Sequence, residues 1–189
     1  MTSIRVIDDL LPLAEQTALY GWLKGPGWSF GASSDMGPNP SRYWYKHFAG
    51  VAREGEPLDP VTIEADLAMR APMVSALWSA LKAGPLAGHL LTRCYANGYP
   101  AGAEGGVHVD AILPNHFTAI YYPHLEWRAA WAGETVFFTD SQDEIVASAY
   151  PKPNRIVCFQ GTIPHVARPI TRDCPLLRIT LMFKSMTSP

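Results

Sequence analysis

The chain has 189 residues, 48% hydrophobic and 11% aromatic, which suits one domain with a real core and excludes the polar, highly charged composition of a disordered chain. Fifteen Lys and Arg against seventeen Asp and Glu give a net charge of −2, without the basic excess of a nucleic-acid-binding surface. No window approaches the roughly 18–20 apolar residues of a membrane span, and Met1–Leu10 carries Arg5, Asp8 and Asp9 where a secretory signal would be apolar, so a cytoplasmic protein is expected.

In chain order, Leu11–Lys24 reads as a first helix. Pro12 suits its first turn, Leu19, Trp22 and Leu23 share a face, and Gly25 can close it. Gly27–Gly50 mixes Trp28, Phe30, Arg42, Tyr43, Trp44, Tyr45, His47 and Phe48 with small polar residues, the composition of strands or a structured loop whose rings mostly pack under the first helix. Residues 61–70 have a weaker helical pattern. Pro72–Lys82 has a strong one, with Val74, Leu77, Trp78 and Leu81 on one side and Gly84-Pro85 as the stop.

From Leu90 onward the runs shorten to strand length: Leu90–Tyr95, Gly106–Val109, Phe117–Tyr122, Glu134–Phe138, Ile145–Ala149, Arg155–Gln160, His165–Pro169 and Leu177–Lys184. Many short strands without intervening helices, punctuated by seventeen prolines and fifteen glycines, predict a mainly β, α+β protein: a jelly roll with the N-terminal helices outside it. One domain over 1–189 is expected, 1–89 being its helical, substrate-side part and 90–184 its jelly-roll core. Cys94, Cys158 and Cys174 fit neither a disulfide framework nor a paired-cysteine zinc site, and are expected to be reduced thiols.

Two features carry chemistry. In His108-Val109-Asp110, strand alternation would turn an imidazole and a carboxylate to one face while Val109 packs on the other. A second histidine, His165, opens a later strand, and Arg178 lies within the apolar run Leu176–Phe183. Burying its permanent charge there calls for an anionic partner. Two histidines, one carboxylate and an arginine in a jelly roll match the 2-His-1-carboxylate set of non-haem iron oxygenases. The bland alternative is a cupin-like module holding a metal without turnover, which has no use for a buried cation aimed at a dicarboxylate.

At these residues the sequence resembles the Fe(II)/2-oxoglutarate-dependent dioxygenases, in particular the prolyl-4-hydroxylase-like branch. The likeness runs from about Leu90 to Lys184. It rests on Arg93-Cys94-Tyr95-Ala96-Asn97-Gly98 before His108-Val109-Asp110, on Thr118–Tyr122 with Trp127 and Trp131-Ala132-Gly133-Glu134-Thr135, and on Arg155–Gly161 before His165 and Arg178. The double glycine of the family's central block is Ala132-Gly133 here. The His165 to Arg178 interval is also longer than usual, which leaves Arg168 and Arg172 as rival anchors.

The resemblance implies a double-stranded β-helix, Fe(II) on His108, Asp110 and His165, and 2-oxoglutarate anchored by Arg178 and supported by Tyr95. Dioxygen would be the oxidant and ascorbate a candidate reductant. It further implies hydroxylation of an unactivated C–H bond, with release of succinate and carbon dioxide. Because Asp110 fills the position that halogenating relatives leave to a small residue, halogenation is disfavoured. A small molecule or amino-acid-like intermediate is the expected substrate, with a prolyl side chain of a protein as the alternative and no nucleic-acid or membrane partner. Trp44, Tyr45, His47, Asn97, Tyr99 and Glu104, the last three on a loop before the ligand pair, are candidate substrate contacts, with Arg128 and Trp131 behind them. His47, His89, His116 and His124 are otherwise expected at the surface or behind the ligands; His116 could join a zinc site but lacks spaced partners.

Overall fold

A computed structural model describes residues 4–34, 40–50 and 59–187. Pro12 caps rather than begins α1 (Leu13–Leu23), which buries Leu19, Tyr20 and Leu23. Helix α2 (Pro60–Arg70) starts at Asp59, whose carboxylate accepts the backbone N–H groups of Val61 and Thr62. Helix α3 (Pro72–Lys82) has the expected bounds and buries the four residues at helical spacing, Val74, Leu77, Trp78 and Leu81.

Among the described residues, ten strands form two antiparallel sheets. The larger has the order β1 (Arg5–Ile7), β8 (Arg155–Gln160), β5 (His116–Tyr122), β10 (Arg178–Thr187), β4 (His89–Tyr99), β3 (Tyr43–Gly50) and β2 (Ser29–Ala32). The smaller has the order β7 (Ile145–Ala149), β6 (Thr135–Phe138) and β9 (His165–Ala167). The part before residue 90 is therefore more than helical: it supplies three strands of the large sheet.

Strand alternation splits the apolar residues into two cores. Ala96, Ala119, Tyr121, Cys158, Leu181 and Phe183 face the helices, where Trp78 stacks on Phe183. Ile120, Tyr122, Val157, Phe159 and Met182 face inward and meet Phe137 of the small sheet. The same alternation sends Arg178, Thr180, Met182 and Lys184 of β10 into the space between the sheets.

Three expectations need correction. Gly106–Val109 is not a strand: only His108 makes a bridge, exchanging backbone hydrogen bonds with His165. Val109 does not pack, being 43% exposed. Strand β4 runs on through Asn97 and Tyr99, so these two residues are not in a loop. Gly98 is part of that strand, paired with Ile179, and a Cβ there would stand 2.6 Å from the Leu177 side chain, which favours glycine at this position. Strand β1 was not anticipated. The three cysteines are free and buried, and no helix of the described residues is long and apolar enough to cross a membrane.

Candidate active site

His165, at the start of β9, and the segment before β5 that carries His108 and Asp110 meet at the mouth between the sheets. Their backbones are tied by the His108–His165 bridge and by the Asp110 N–H donating to the Gly161 carbonyl at 2.8 Å. His108 Nε2 lies 3.5 Å from Asp110 Oδ1, and His165 Nε2 lies 3.4 Å from Asp110 Oδ2. One ligand atom from each residue falls within 4.8 Å of the others, a set able to hold a metal ion.

The surroundings fit that use. His108 Nδ1 is 2.8 Å from the Gly106 carbonyl and His165 Nδ1 is 2.9 Å from that of Ile163. Each contact places the ring proton on Nδ1 and leaves the Nε2 lone pair facing Asp110. Burial holds His165 neutral, with its pKa down at about 4, while at His108 burial is outweighed by the Asp110 carboxylate and the pKa is raised. Burial works against charge on Asp110 too. The Lys184 ammonium and the two imidazoles nevertheless hold its carboxyl well below the usual range.

Lys184 is the residue that sequence reasoning missed. Its Nζ contacts Asp110 Oδ2 and lies 3.0 Å from Thr118 Oγ1, whose hydroxyl donates to the same Oδ2 at 2.6 Å. With Oδ2 so engaged, Oδ1 is the oxygen left for a metal. The signal was present in the sequence: Lys184 shares the two-residue period that flags Arg178, in the same apolar strand.

One cavity reaches from the His-Asp-His cluster to Arg178 and is lined between them by Tyr95, Asn97, Thr180 and Met182. Arg178 is 1% exposed. Its Nε donates to the Gly133 carbonyl at 2.7 Å and Nη2 to Thr135 Oγ1 at 3.1 Å, and its guanidinium lies over the rings of Tyr99 and Tyr122. Among the described residues no carboxylate is within ion-pair distance of it. A buried guanidinium without a counter-charge is suited to pair with an anion. The rival arginines, Arg168 and Arg172, are exposed.

The other expected contacts scatter. Tyr45 and His47 share the inner face of β3 and lie against Tyr95, whereas Trp44 points to the opposite face and tilts against Phe30. Asn97 lines the cavity with its Oδ1 buried and unpartnered. Glu104 is exposed, Trp131 is buried in a satellite cluster with Trp127 and Ile170, and Arg128 covers Trp131 from solvent. His124 is fully buried and structural rather than superficial. His116 joins no metal-capable group among the described residues.

No family model and no curated protein matches the sequence. Solved structures do. A prolyl-4-hydroxylase from Pseudomonas putida superposes with a TM-score of 0.63 at 16% identity, over 100% of this chain and 95% of that one. A 2-oxoglutarate/Fe(II) oxygenase family protein from Burkholderia pseudomallei gives 0.65 at 14% identity, over 97% and 84% of the two chains. The fold is that of the 2-oxoglutarate/Fe(II) oxygenases. A Trichoplax adhaerens prolyl hydroxylase, solved with a peptide fragment of a hypoxia-inducible factor, shares this oxygenase fold at 0.63 and 15% identity, over 98% of this chain and 84% of its own.

Proposed function

We propose that the protein is a cytoplasmic, Fe(II)- and 2-oxoglutarate-dependent dioxygenase that hydroxylates an unactivated C–H bond of a small molecule or amino-acid-like intermediate, the whole chain acting as one catalytic domain. The observation that carries this reading is the pairing, in one cavity, of the His108-Asp110-His165 cluster with an Arg178 that has no counter-anion among the described residues. A two-histidine, one-carboxylate set suits Fe(II) and leaves positions for small molecules. Arg178 suits the far carboxylate of 2-oxoglutarate, because a planar guanidinium pairs with a carboxylate in two parallel hydrogen bonds. Three free cysteines accord with a reducing compartment.

In this reading His108 and His165 present Nε2, Asp110 presents Oδ1, and Lys184 with Thr118 fixes the other carboxylate oxygen. Thr135 and the Gly133 carbonyl orient Arg178, and Ile120 and Met182 close the cavity between the ends with apolar surface. When bound, Fe(II) with 2-oxoglutarate and dioxygen supplies the oxidising power.

Anaerobic titration of metal-free protein with Fe(II) and 2-oxoglutarate tests the proposal. A visible charge-transfer band should appear only with both present and be lost in His165→Ala. In Arg178→Met the band should demand about tenfold or more 2-oxoglutarate while metal binding is kept, the expected loss of a charge-assisted contact. A tightly held metal with no band in the unaltered protein would leave the cupin-like binding module instead.

A further inference from the structure

Among the described residues, Arg178 is not alone as an inward-facing guanidinium without a carboxylate in ion-pair reach. Arg93 of β4 sits opposite Lys184 in the pairing of β4 with β10, on the same inner face as Tyr95. Its Nη2 donates to Tyr45 Oη at 2.9 Å, and its guanidinium lies over the Tyr95 ring at 4.6 Å. Its Nε is buried and unpartnered, as is Nε2 of His47 on the neighbouring strand. No carboxylate among the described residues is within ion-pair distance of Arg93, and Asp110 is already engaged by Lys184.

Arg93 cannot serve the same anion as Arg178. Arg178 pairs with Tyr99 and Lys184 with Arg93, so the two arginines are separated by six residues of strand, about 20 Å along β10. A five-carbon dicarboxylate held at Arg178 does not span that length. Nor is Arg93 remote from the chemistry: Tyr95, beneath its guanidinium, lines the cavity, and Lys184, across from it, touches Asp110. With Lys184 neutralised by Asp110, Arg93 is, among the described residues, the cation left over at the metal end of the barrel.

We propose that Arg93, steadied by Tyr45 and Tyr95, anchors a carboxylate of the molecule to be oxidised, so that the substrate is a small carboxylic acid. The inference rests on the oxygenase reading and narrows it. The guanidinium keeps donors that Tyr45 does not use, Nε among them, and its contacts with the Tyr45 and Tyr95 rings hold its plane for a carboxylate. The unpartnered His47 Nε2 offers a further polar contact beside it. An internal proline of a peptide has no carboxylate to offer, and the proposal therefore favours a free acid over a polypeptide.

The test uses the full chain loaded with Mn(II) and saturating 2-oxoglutarate, so that Arg178 is already occupied. Paramagnetic relaxation of the protons of acetate and benzoate is compared with that of acetamide and benzamide. The carboxylates should show saturable enhancement, binding about tenfold or more tightly than the amides, and Arg93→Gln should remove that difference with Mn(II) and 2-oxoglutarate still bound. Tyr45→Phe, which deletes only the hydroxyl that steadies the guanidinium, should weaken it less. Equal enhancement by acids and amides, or carboxylate binding unchanged in Arg93→Gln, overturns the proposal. Failure of the unaltered protein to take up Mn(II) and 2-oxoglutarate together would instead overturn the oxygenase reading.

Discussion

Asp110 and Lys184 form an ion pair with side-chain exposures of 10% and 15%, and a metal on Asp110 Oδ1 would add positive charge beside the ammonium. Before metal arrives, Lys184 is what makes the buried carboxylate tolerable. Removing one partner of such a pair leaves an uncompensated buried charge, at a cost of about 3–5 kcal/mol. Lys184→Met should therefore lower the unfolding free energy of the metal-free protein by about that amount, measured by urea denaturation. Divalent metal then takes the place of the ammonium as counter-charge of Asp110, and the rise in melting temperature on adding Mn(II) should be larger in the variant than in the unaltered protein. An equal or smaller rise would mean that the ammonium does not compete with the metal for this carboxylate.

The turn before β6 governs the opposite end of the cavity. Gly133 has φ +88°, and its carbonyl accepts the Arg178 Nε–H. A Cβ there would stand 2.7 Å from Ile170 Cγ2 and 3.2 Å from Arg178 Cδ, in a backbone region that costs an L-residue about 1–2 kcal/mol. Gly133→Ala should displace the guanidinium and weaken 2-oxoglutarate by about tenfold while leaving metal affinity intact, as read by titration of the charge-transfer band. Elements with a strong local signal were legible in the sequence. Helix α3 has Pro72 at its start and a Gly-Pro stop, and β7 and β8 are bounded by turn residues, so all three were predicted to the residue. Illegible elements lack such a signal. The Gly106–Val109 segment is held by one backbone bridge and leaves both valines 43% exposed, Gly98 reads as a turn until Leu177 is packed against it, and β1 has three residues. The His108-Val109-Asp110 triplet, His165 and Arg178 stood out because each is costly or chemically specific where it lies. Arg93 became conspicuous only once the strand pairing set it opposite Lys184.

At the scale of the molecule, the helical layer and the site-bearing strand meet at His124. The Gln16 side chain of α1 donates to the His124 carbonyl, Tyr20 Oη lies 3.2 Å from Nδ1, and Nε2 accepts the backbone N–H of Ile179 at 3.0 Å, one residue beyond Arg178. The ring must be neutral to accept that bond. Complete burial, reinforced by the nearby Arg178 charge, pushes its pKa down to about 3, against 6.5 for an ordinary histidine. The sign follows from linkage: below about pH 6.5 the unfolded chain takes up a proton that the folded chain refuses, so this contribution is full above that pH and is lost as pH falls towards 3. Between pH 7 and pH 5 it amounts to about 2 kcal/mol. Urea titrations of the metal-free protein at these two pH values should show that His124→Asn, less stable at pH 7 for want of the imidazole's contacts, loses about 2 kcal/mol less on acidification than the unaltered protein. If both lose the same amount, His124 takes up its proton in the folded state, and the junction between the helices and the arginine strand must open to let it in.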